Sequence, residues 1–138
     1  LYRRLIEGDY VLNFQGGLMP TIDPYLFTFT CTLHPDRRVE DVLHALEGEM
    51  SRLQDSPPPA EEVQRAIKQA RALAAYGSES IYGQGSWLGF DFTVNAGRWH
   101  TSFLERLSAV TPQDVQHIAQ TYLRPEQRII GVYRPTTR

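Results

Sequence analysis

The sequence is short of the residues and runs that mark several large classes of protein. Its single cysteine, Cys31, cannot form an internal disulfide, so nothing in the composition points to an oxidising compartment. The formal net charge of −2 gives no attraction to nucleic acid or to an anionic membrane surface. No run approaches the ~20 consecutive apolar residues that a membrane-spanning helix needs. These absences predict a soluble protein that binds neither nucleic acid nor membrane, and they favour the cytoplasm.

Motifs for catalysis are missing as well. The histidines lie far apart, and the nearest approach to a zinc motif, His44 with Glu47, is not completed because position 48 is glycine. Ser86 does not complete GxSxG, the motif of a nucleophile elbow, because Gln84 stands where the first glycine is required, and no glycine-rich phosphate loop is present. We therefore predict that this chain holds no catalytic residue, no metal ligand and no cofactor. The histidines are His34, His44, His100 and His117.

What remains is an ordinary globular composition, with 41% apolar and 22% charged residues in periodic patterns. Tyr10–Leu18 and Tyr25–Leu33 alternate in polarity as half-buried strands do, and the short loop between them favours an antiparallel pair. Cys31 falls on the apolar face of the second run, which predicts a buried, inert thiol. Arg128–Tyr133 also has the composition of a strand.

Helical periodicity accounts for most of the remaining chain. Val39–Leu53 carries a continuous apolar stripe, and a second helix follows the break at Pro57–Pro59. Arg98–Val110 continues the pattern, and Thr111 is suited to cap a last helix that Pro125 ends. With strands at both ends and helices between them, the order predicts an α+β fold whose helices pack on one face of an antiparallel sheet.

The stretch Tyr76–Gly97 is rich in aromatics and glycine, and it fits two structures. The local sequence WLGFDFTV resembles a strand, whereas a helix would place Ile81 and Phe92 on one side. Packing explains its large rings best, and the alternative is that they wall a peptide or ligand cavity. An exposed strand at Tyr10–Leu18 could similarly accept an extended peptide at its edge.

Taken in order, these segments resemble a known family. The chain contains LYRRLIE, the strand pair, PDRRVEDVLHALEGEMSRL, PPPAEEVQRAIKQA and FLERLSAVTPQDVQHIAQTYLRPEQRIIGVYRP. This order resembles the second-half domain of M16 (insulinase/pitrilysin-type) zinc metallopeptidases over almost the whole chain, most specifically at EEVQRA and VTPQDVQHIAQTYL. The resemblance implies an α+β fold of ferredoxin-like elements, and it implies a helix at residues 78–94.

The resemblance also implies structure outside the sequence. In the family a strand and the start of a helix precede the position of Leu1, and Leu1–Glu7 reads as the last turns of a helix with Gly8 as its stop. We therefore expect residues 1–138 to be a single domain, a fragment of the C-terminal, inactive-type M16 domain. An upstream targeting segment stays open for the same reason, and so does the compartment.

By resemblance, zinc belongs to the other half of such a protein. The family binds zinc through HxxEH and a downstream glutamate on its first-half domain, and this chain has none of these. The implied function is that of a non-catalytic half, which pairs with a homologous zinc-bearing domain in the same or another chain and helps to form the peptide-binding chamber. A homodimer is a further option. The alternative is a structural or assembly module of M16 ancestry with no role in proteolysis.

Active members of the family commonly carry an arginine and a tyrosine at the helix-to-strand corner of the second-half domain, where both help to bind substrate. In this chain that corner is Arg3–Val11. The arginine's place falls at Ile6 and the tyrosine's at or near Tyr10, across a shortened turn. The resemblance therefore gives Arg4 and Tyr10 as candidate substrate-binding residues. Pro59 is a further departure, because a capping serine or threonine is usual there.

Overall fold

The computed structural model describes residues 2–95 and 97–134, so that Leu1 lies outside the described residues. A short helix leads into a pair of strands, and a series of helices follows. The elements are α1 (Tyr2–Leu5), β1 (Val11–Leu18), β2 (Phe27–Leu33), α2 (Val39–Asp55), α3 (Ala60–Gly77), α4 (Ile81–Asn95), α5 (Arg98–Ser108) and α6 (Pro112–Tyr122), with a 3-10 turn at Pro125–Gln127.

The sheet confirms the predicted strand pair. Within the described residues it consists of β1 and β2, which run antiparallel from the Val11–Leu33 pair to the Leu18–Phe27 pair. Cys31 lies half-buried on the inner face of β2, as the alternation predicts, and the threonines between its apolar residues are exposed. Because only one face carries buried side chains, the helices cover that face alone, and the predicted α+β arrangement is confirmed.

The core forms where α1 and α2 meet the inner face of the sheet. Leu5 is 0% exposed and Val11 2%, and Val42 and Ala45 of α2 close over them. Burying a leucine or valine side chain stabilises the fold by about 1.5–3 kcal/mol. Partly buried residues surround this cluster, namely Ile6, Tyr10, Phe14, Cys31, Leu33 and Leu46.

The C-terminal ends of α2 and α6 are joined through the amide side chain of Gln54. Its Nε2 donates to the carbonyl oxygens of Ala119 at 3.2 Å and Leu123 at 2.8 Å. In return, Nε2 of Gln116 and Nε2 of Gln120 donate to the Gln54 carbonyl oxygen at 3.0 and 2.7 Å. The last carbonyls of a helix generally lack an amide partner within it, so this exchange stabilises both ends, and the Ala119 carbonyl also accepts from the Leu123 amide at 3.1 Å.

The helix α4 confirms the structure that the family resemblance implies for residues 78–94, and the local strand interpretation is wrong. Trp87 of α4 packs against Trp99 and Phe103 of α5, with ring centroids 5.6 and 5.9 Å away. Asp91 is fully buried and accepts a hydrogen bond at 3.0 Å from the backbone amide of Trp99, in the first turn of α5. Packing therefore accounts for much of this aromatic segment.

The predicted cap of α6 is present. Thr111 Oγ1 accepts a hydrogen bond from the Asp114 amide at 3.2 Å, and Asp114 Oδ2 accepts one from the Thr111 amide at 2.8 Å. Pro112 occupies the first turn. At α3, by contrast, Pro59 precedes the helix without any side-chain cap hydrogen bond, as its sequence predicts.

The predicted terminal strand is wrong. Arg128–Tyr133 pairs with no strand in the part of the chain that the structure describes. Its first residue instead forms an ion pair with Glu47 of α2 at 2.5 Å. The side chains of Ile129 and Tyr133 are 90% and 92% exposed, so the segment has strand composition without a strand to pair with. Within the described residues, no helix is both long and apolar enough to cross a membrane.

Candidate functional site

The corner between α1 and β1 is a tight turn held by backbone hydrogen bonds. The amide of Asp9 donates to the Ile6 carbonyl at 3.1 Å, and the amide of Tyr10 donates to the Leu5 carbonyl at 3.0 Å. This pair of bonds is the Schellman pattern, which requires a left-handed residue just after the helix. That residue is Asp9, with φ of 54°, and not the predicted stop Gly8.

Gly8 is needed at this corner for a different reason. A Cβ at Gly8 would lie 2.5 Å from the Arg4 carbonyl oxygen, so the chain passes too close for any side chain. Asp9 tolerates the left-handed conformation because aspartate is one of the residues that visit this region with little penalty. The shortened turn thus has a definite structure, and it leads directly from α1 into Tyr10.

A second arginine, from the loop between β2 and α2, holds this turn. Nε of Arg37 donates to the Asp9 carbonyl at 3.0 Å, and its NH2 group donates to the Gly8 carbonyl at 3.4 Å. The same guanidinium lies over the Tyr10 ring, with its carbon 4.9 Å from the centroid. The guanidinium of Arg4 lies 5.9 Å from the same centroid. Both distances fall within the range of a cation–π contact.

Arg4 and Tyr10 meet in a cleft of about 270 Å³ between this corner and α2. Arg4 is exposed and Tyr10 is half-buried, so a ligand in the cleft can reach a guanidinium and one side of a phenol. Glu49 of α2 also lines the cleft and forms an ion pair with Arg52 at 3.3 Å. The lining residues, hereafter the corner cleft, are Arg4, Tyr10, His44, Ala45, Gly48 and Glu49.

The two candidate substrate-binding residues are therefore neighbours in space. Ile6, where the resemblance predicts the place of the family's arginine, packs against the core. A guanidinium from Arg4 is consequently available at the corner, although from a different turn of the helix. Substrate contact by Arg4 or Tyr10 stays a prediction.

Metal-binding side chains do not converge within the described residues. No group of three or more histidine, cysteine, aspartate or glutamate side chains there is close enough to hold a metal ion. His44 lines the corner cleft, whereas Glu47, its partner in the incomplete zinc motif, pairs with Arg128. The described residues thus do not fit the zinc site of the family.

The thiol of Cys31 has the character of a core residue. Burial in the inner face of β2 raises the pKa of this thiol above its usual value. A raised pKa leaves less of the reactive thiolate at neutral pH, so the geometry offers no activated nucleophile here.

A second, apolar cleft of about 470 Å³ lies between the β1–β2 loop and α4. Phe90 and Val94 form its α4 side, and Met19, Ile22 and Tyr25 are among the loop residues that form the other. These three loop side chains are 59–72% exposed. Phe90 and Val94 of the aromatic segment thus also line an open surface cleft, and binding of a peptide or ligand there stays a prediction.

Comparison with known proteins decides the family. A family model described as the Peptidase M16 inactive domain matches residues 1–70, which is half of the chain. This chain belongs to the M16 peptidase family. The predicted relationship is confirmed, and the matching part is the inactive type of domain. The match includes α1, both strands, α2 and every residue of the corner cleft.

Solved structures extend the likeness of this M16 domain to nearly its whole length. The inactive peptidase domain of a candidate zinc protease from Bordetella parapertussis is 24% identical, with a TM-score of 0.87 over 99% of this chain and 73% of that chain. A candidate zinc protease from Bordetella pertussis Tohama I is also 24% identical, with a TM-score of 0.83 over 98% and 75%. At this identity the structures show a shared fold. Comparison with curated protein sequences found no match to this chain.

Arg37 is the residue at this site that sequence reasoning missed. It lies in the polar turn between β2 and α2, 27 residues beyond Tyr10, and no motif spacing links the two. The turn sequence HPDRR offers several exposed charges of equal appearance. Only the folded chain shows that one of them reaches back to the α1–β1 corner.

Proposed function

We propose that this M16 domain is the non-catalytic half of a zinc metallopeptidase and forms part of its peptide-binding chamber. The observation that carries the proposal is the corner cleft, where Arg4 and Tyr10 lie side by side at the corner that the family uses to bind substrate. A homologous zinc-bearing domain, in the same or another chain, would close the chamber from the other side.

The side chains of the corner cleft suit the polar groups of a peptide backbone. The guanidinium of Arg4 offers several N–H donors to a main-chain carbonyl or a terminal carboxylate. The hydroxyl of Tyr10 can donate to a carbonyl or accept from an amide. These contacts do not depend on the identity of the peptide's side chains, so they fit a chamber that accepts varied sequences.

Two domains can divide the work of peptide cleavage between them. A zinc ion held by the partner domain would supply the Lewis acid and the activated water. Arg4 and Tyr10 would bind the peptide and orient it, which lowers the barrier by fixing geometry before reaction. In this proposal Arg4 and Tyr10 act in binding alone, and activation of the water belongs to the zinc-bearing partner domain.

The test measures peptide cleavage by the whole protein with its zinc-bearing domain present. We expect Arg4→Ala and Tyr10→Phe each to raise KM by about fivefold, the value of one ordinary hydrogen bond, while kcat changes little. Arg65→Ala, which removes an exposed arginine from α3, is the matched control and leaves KM unchanged. Unaltered KM in both corner variants would refute the proposal.

One observation favours a second candidate function, that of an assembly module without a role in proteolysis. Ile6 occupies the position of the family's substrate-binding arginine, and it packs into the core. In that case the corner cleft would no longer bind a substrate. The whole protein would then show no chelator-sensitive cleavage of any peptide, and Arg4→Ala would alter neither peptide binding nor turnover.

A further inference from the structure

The orientation of Tyr10 depends on a residue outside the corner cleft. Two guanidinium groups lie near the Tyr10 ring, that of Arg4 at 5.9 Å and that of Arg37 at 4.9 Å from its centroid. Arg4 belongs to the cleft wall and is exposed. Arg37 does not line the cleft, and it is the closer of the two to the ring. The contacts of Arg37 can therefore orient Tyr10 without Arg37 itself being part of the cleft wall.

Arg37 is also bonded to the turn that precedes Tyr10. Its hydrogen bonds end on the carbonyls of Gly8 and Asp9, the two residues between α1 and the tyrosine. Asp9 is in the left-handed conformation and Gly8 lies close to the Arg4 carbonyl, so a small change of this turn would change the direction in which the Tyr10 side chain leaves it. One planar group thus fixes the turn and covers the ring, which a lysine ammonium cannot do.

We infer that Arg37 is a positioning residue of the corner cleft, which holds the Tyr10 hydroxyl where it can meet a bound peptide. This inference rests on the proposed function, because it assigns Arg37 a role through a residue that binds substrate. Arg37 itself is not expected to touch the peptide.

The backbone at the corner has other anchors, so loss of Arg37 should loosen the site without unfolding the domain. The Tyr10 amide is held by the Leu5 carbonyl at 3.0 Å, and the Tyr10 carbonyl accepts from the His34 amide at 3.2 Å. Both bonds lie within the main chain and survive any change at Arg37. The expected effect is therefore on ligand affinity.

The experiment is a double-mutant cycle on peptide cleavage by the whole protein. Arg37→Ala is expected to raise KM by about fivefold with little change in kcat, as for loss of one hydrogen bond. In a Tyr10→Phe background, where the hydroxyl is already gone, Arg37→Ala should raise KM no further. Such non-additivity is the mark of two residues that act as one unit.

Two further variants complete the design. Arg38→Ala removes the adjacent exposed arginine, which pairs with Glu40 on its own helix, and is expected to leave KM unchanged. Arg37→Lys keeps the charge without the planar fork, so its KM should lie between those of the wild type and Arg37→Ala. If Arg37→Ala lowers the unfolding midpoint below the assay temperature, Arg37→Lys is compared in both tyrosine backgrounds instead.

The possible results separate this inference from the proposed function. If Tyr10→Phe raises KM and Arg37→Ala does not, the cleft binds peptide but the positioning role is refuted. If Arg37→Ala raises KM equally in both tyrosine backgrounds, Arg37 acts elsewhere, and the role is again refuted. If neither Arg4→Ala nor Tyr10→Phe changes KM, the proposed function itself fails.

Discussion

Leu5 is the residue on which the corner of the fold depends most. It lies at the end of α1 with none of its surface exposed, and it contacts the core that α1, β1 and α2 share. A side chain in this position links the short helix to the sheet. Removing its terminal atoms would leave a cavity next to the turn that carries the corner cleft.

We expect Leu5→Ala to lower the free energy of unfolding by about 3 kcal/mol, the middle of the range for a buried leucine. The matched control is Leu73→Ala on α3, whose side chain is 71% exposed and which should cost little. Urea denaturation followed by circular dichroism measures both. Equal effects of the two substitutions would contradict the assignment of the core to the α1–β1–α2 corner.

Single residues also show how far sequence alone could describe the site. Arg4 and Tyr10 could be named because the family resemblance marks their corner. The turn between them brings both residues into one cleft, and its left-handed residue is Asp9. The sequence predicts a helix stop at Gly8 instead, so the geometry of the turn could not be read from it. Arg37 could not be found at all, because its role is a contact between distant parts of the chain.

Among the elements, α6 is the helix whose start the sequence predicts in most detail. The hydroxyl and then the amide of Thr111 bond to the carboxylate of Asp114 and lower the pKa of that group. Because the pKa of Asp114 is lower in the folded state than its unfolded value of about 3.9, ionised Asp114 stabilises the fold at a pH above about 3.9. This stabilisation is lost as the pH falls through the pKa of the folded state.

We expect Thr111→Ala to lower the free energy of unfolding by about 1 kcal/mol at pH 7. The difference from the wild type should shrink below about pH 4, where Asp114 becomes protonated and the reciprocal bond weakens in both proteins. Ser108→Ala on α5 removes a hydroxyl that bonds only within its own helix, and it serves as the control. A difference in the free energy of unfolding between Thr111→Ala and the wild type that stays constant from pH 7 to pH 3 would contradict this account.

The contact between the ends of α2 and α6 makes a different prediction. Gln54→Ala should lower the free energy of unfolding by about 1–2 kcal/mol, because its amide serves two helix-end carbonyls. Gln69→Ala, at an exposed site on α3, is the control and should be near neutral. Thermal unfolding of both variants measures the difference. A near-neutral Gln54→Ala would mean that water replaces these bonds at little cost.

The sequence predicts best those elements whose apolar residues lie on one face of a helix or strand. Val39–Asp55 carries its apolar stripe on one face, so its period identifies it. Ile81–Asn95 is apolar and aromatic on several sides, so its period carries little information and the family resemblance had to decide. Arg128–Tyr133 has strand composition, but a strand also needs a partner, and composition does not supply one.

At the scale of the whole molecule, the proposed function gives this M16 domain the chemistry of a binding surface. The polar side chains of the corner cleft can bind a peptide, yet the described residues bring together neither a metal site nor an activated nucleophile. The same division appears in the sequence, which lacks the zinc motif throughout its length. The proposed function accordingly assigns catalysis to the zinc-bearing partner domain.

This division leads to a prediction for the chain of residues 1–138 by itself. We expect it to hold no stoichiometric zinc and to cleave no peptide, since tight zinc binding takes three or four converging ligands. The measurement is metal analysis after dialysis against excess zinc, together with a cleavage assay on unfolded peptides with and without chelator. Adding the zinc-bearing partner domain should restore cleavage if the proposed pairing is right. One zinc ion per chain with chelator-sensitive cleavage in the absence of that partner would overturn the assignment of a non-catalytic half.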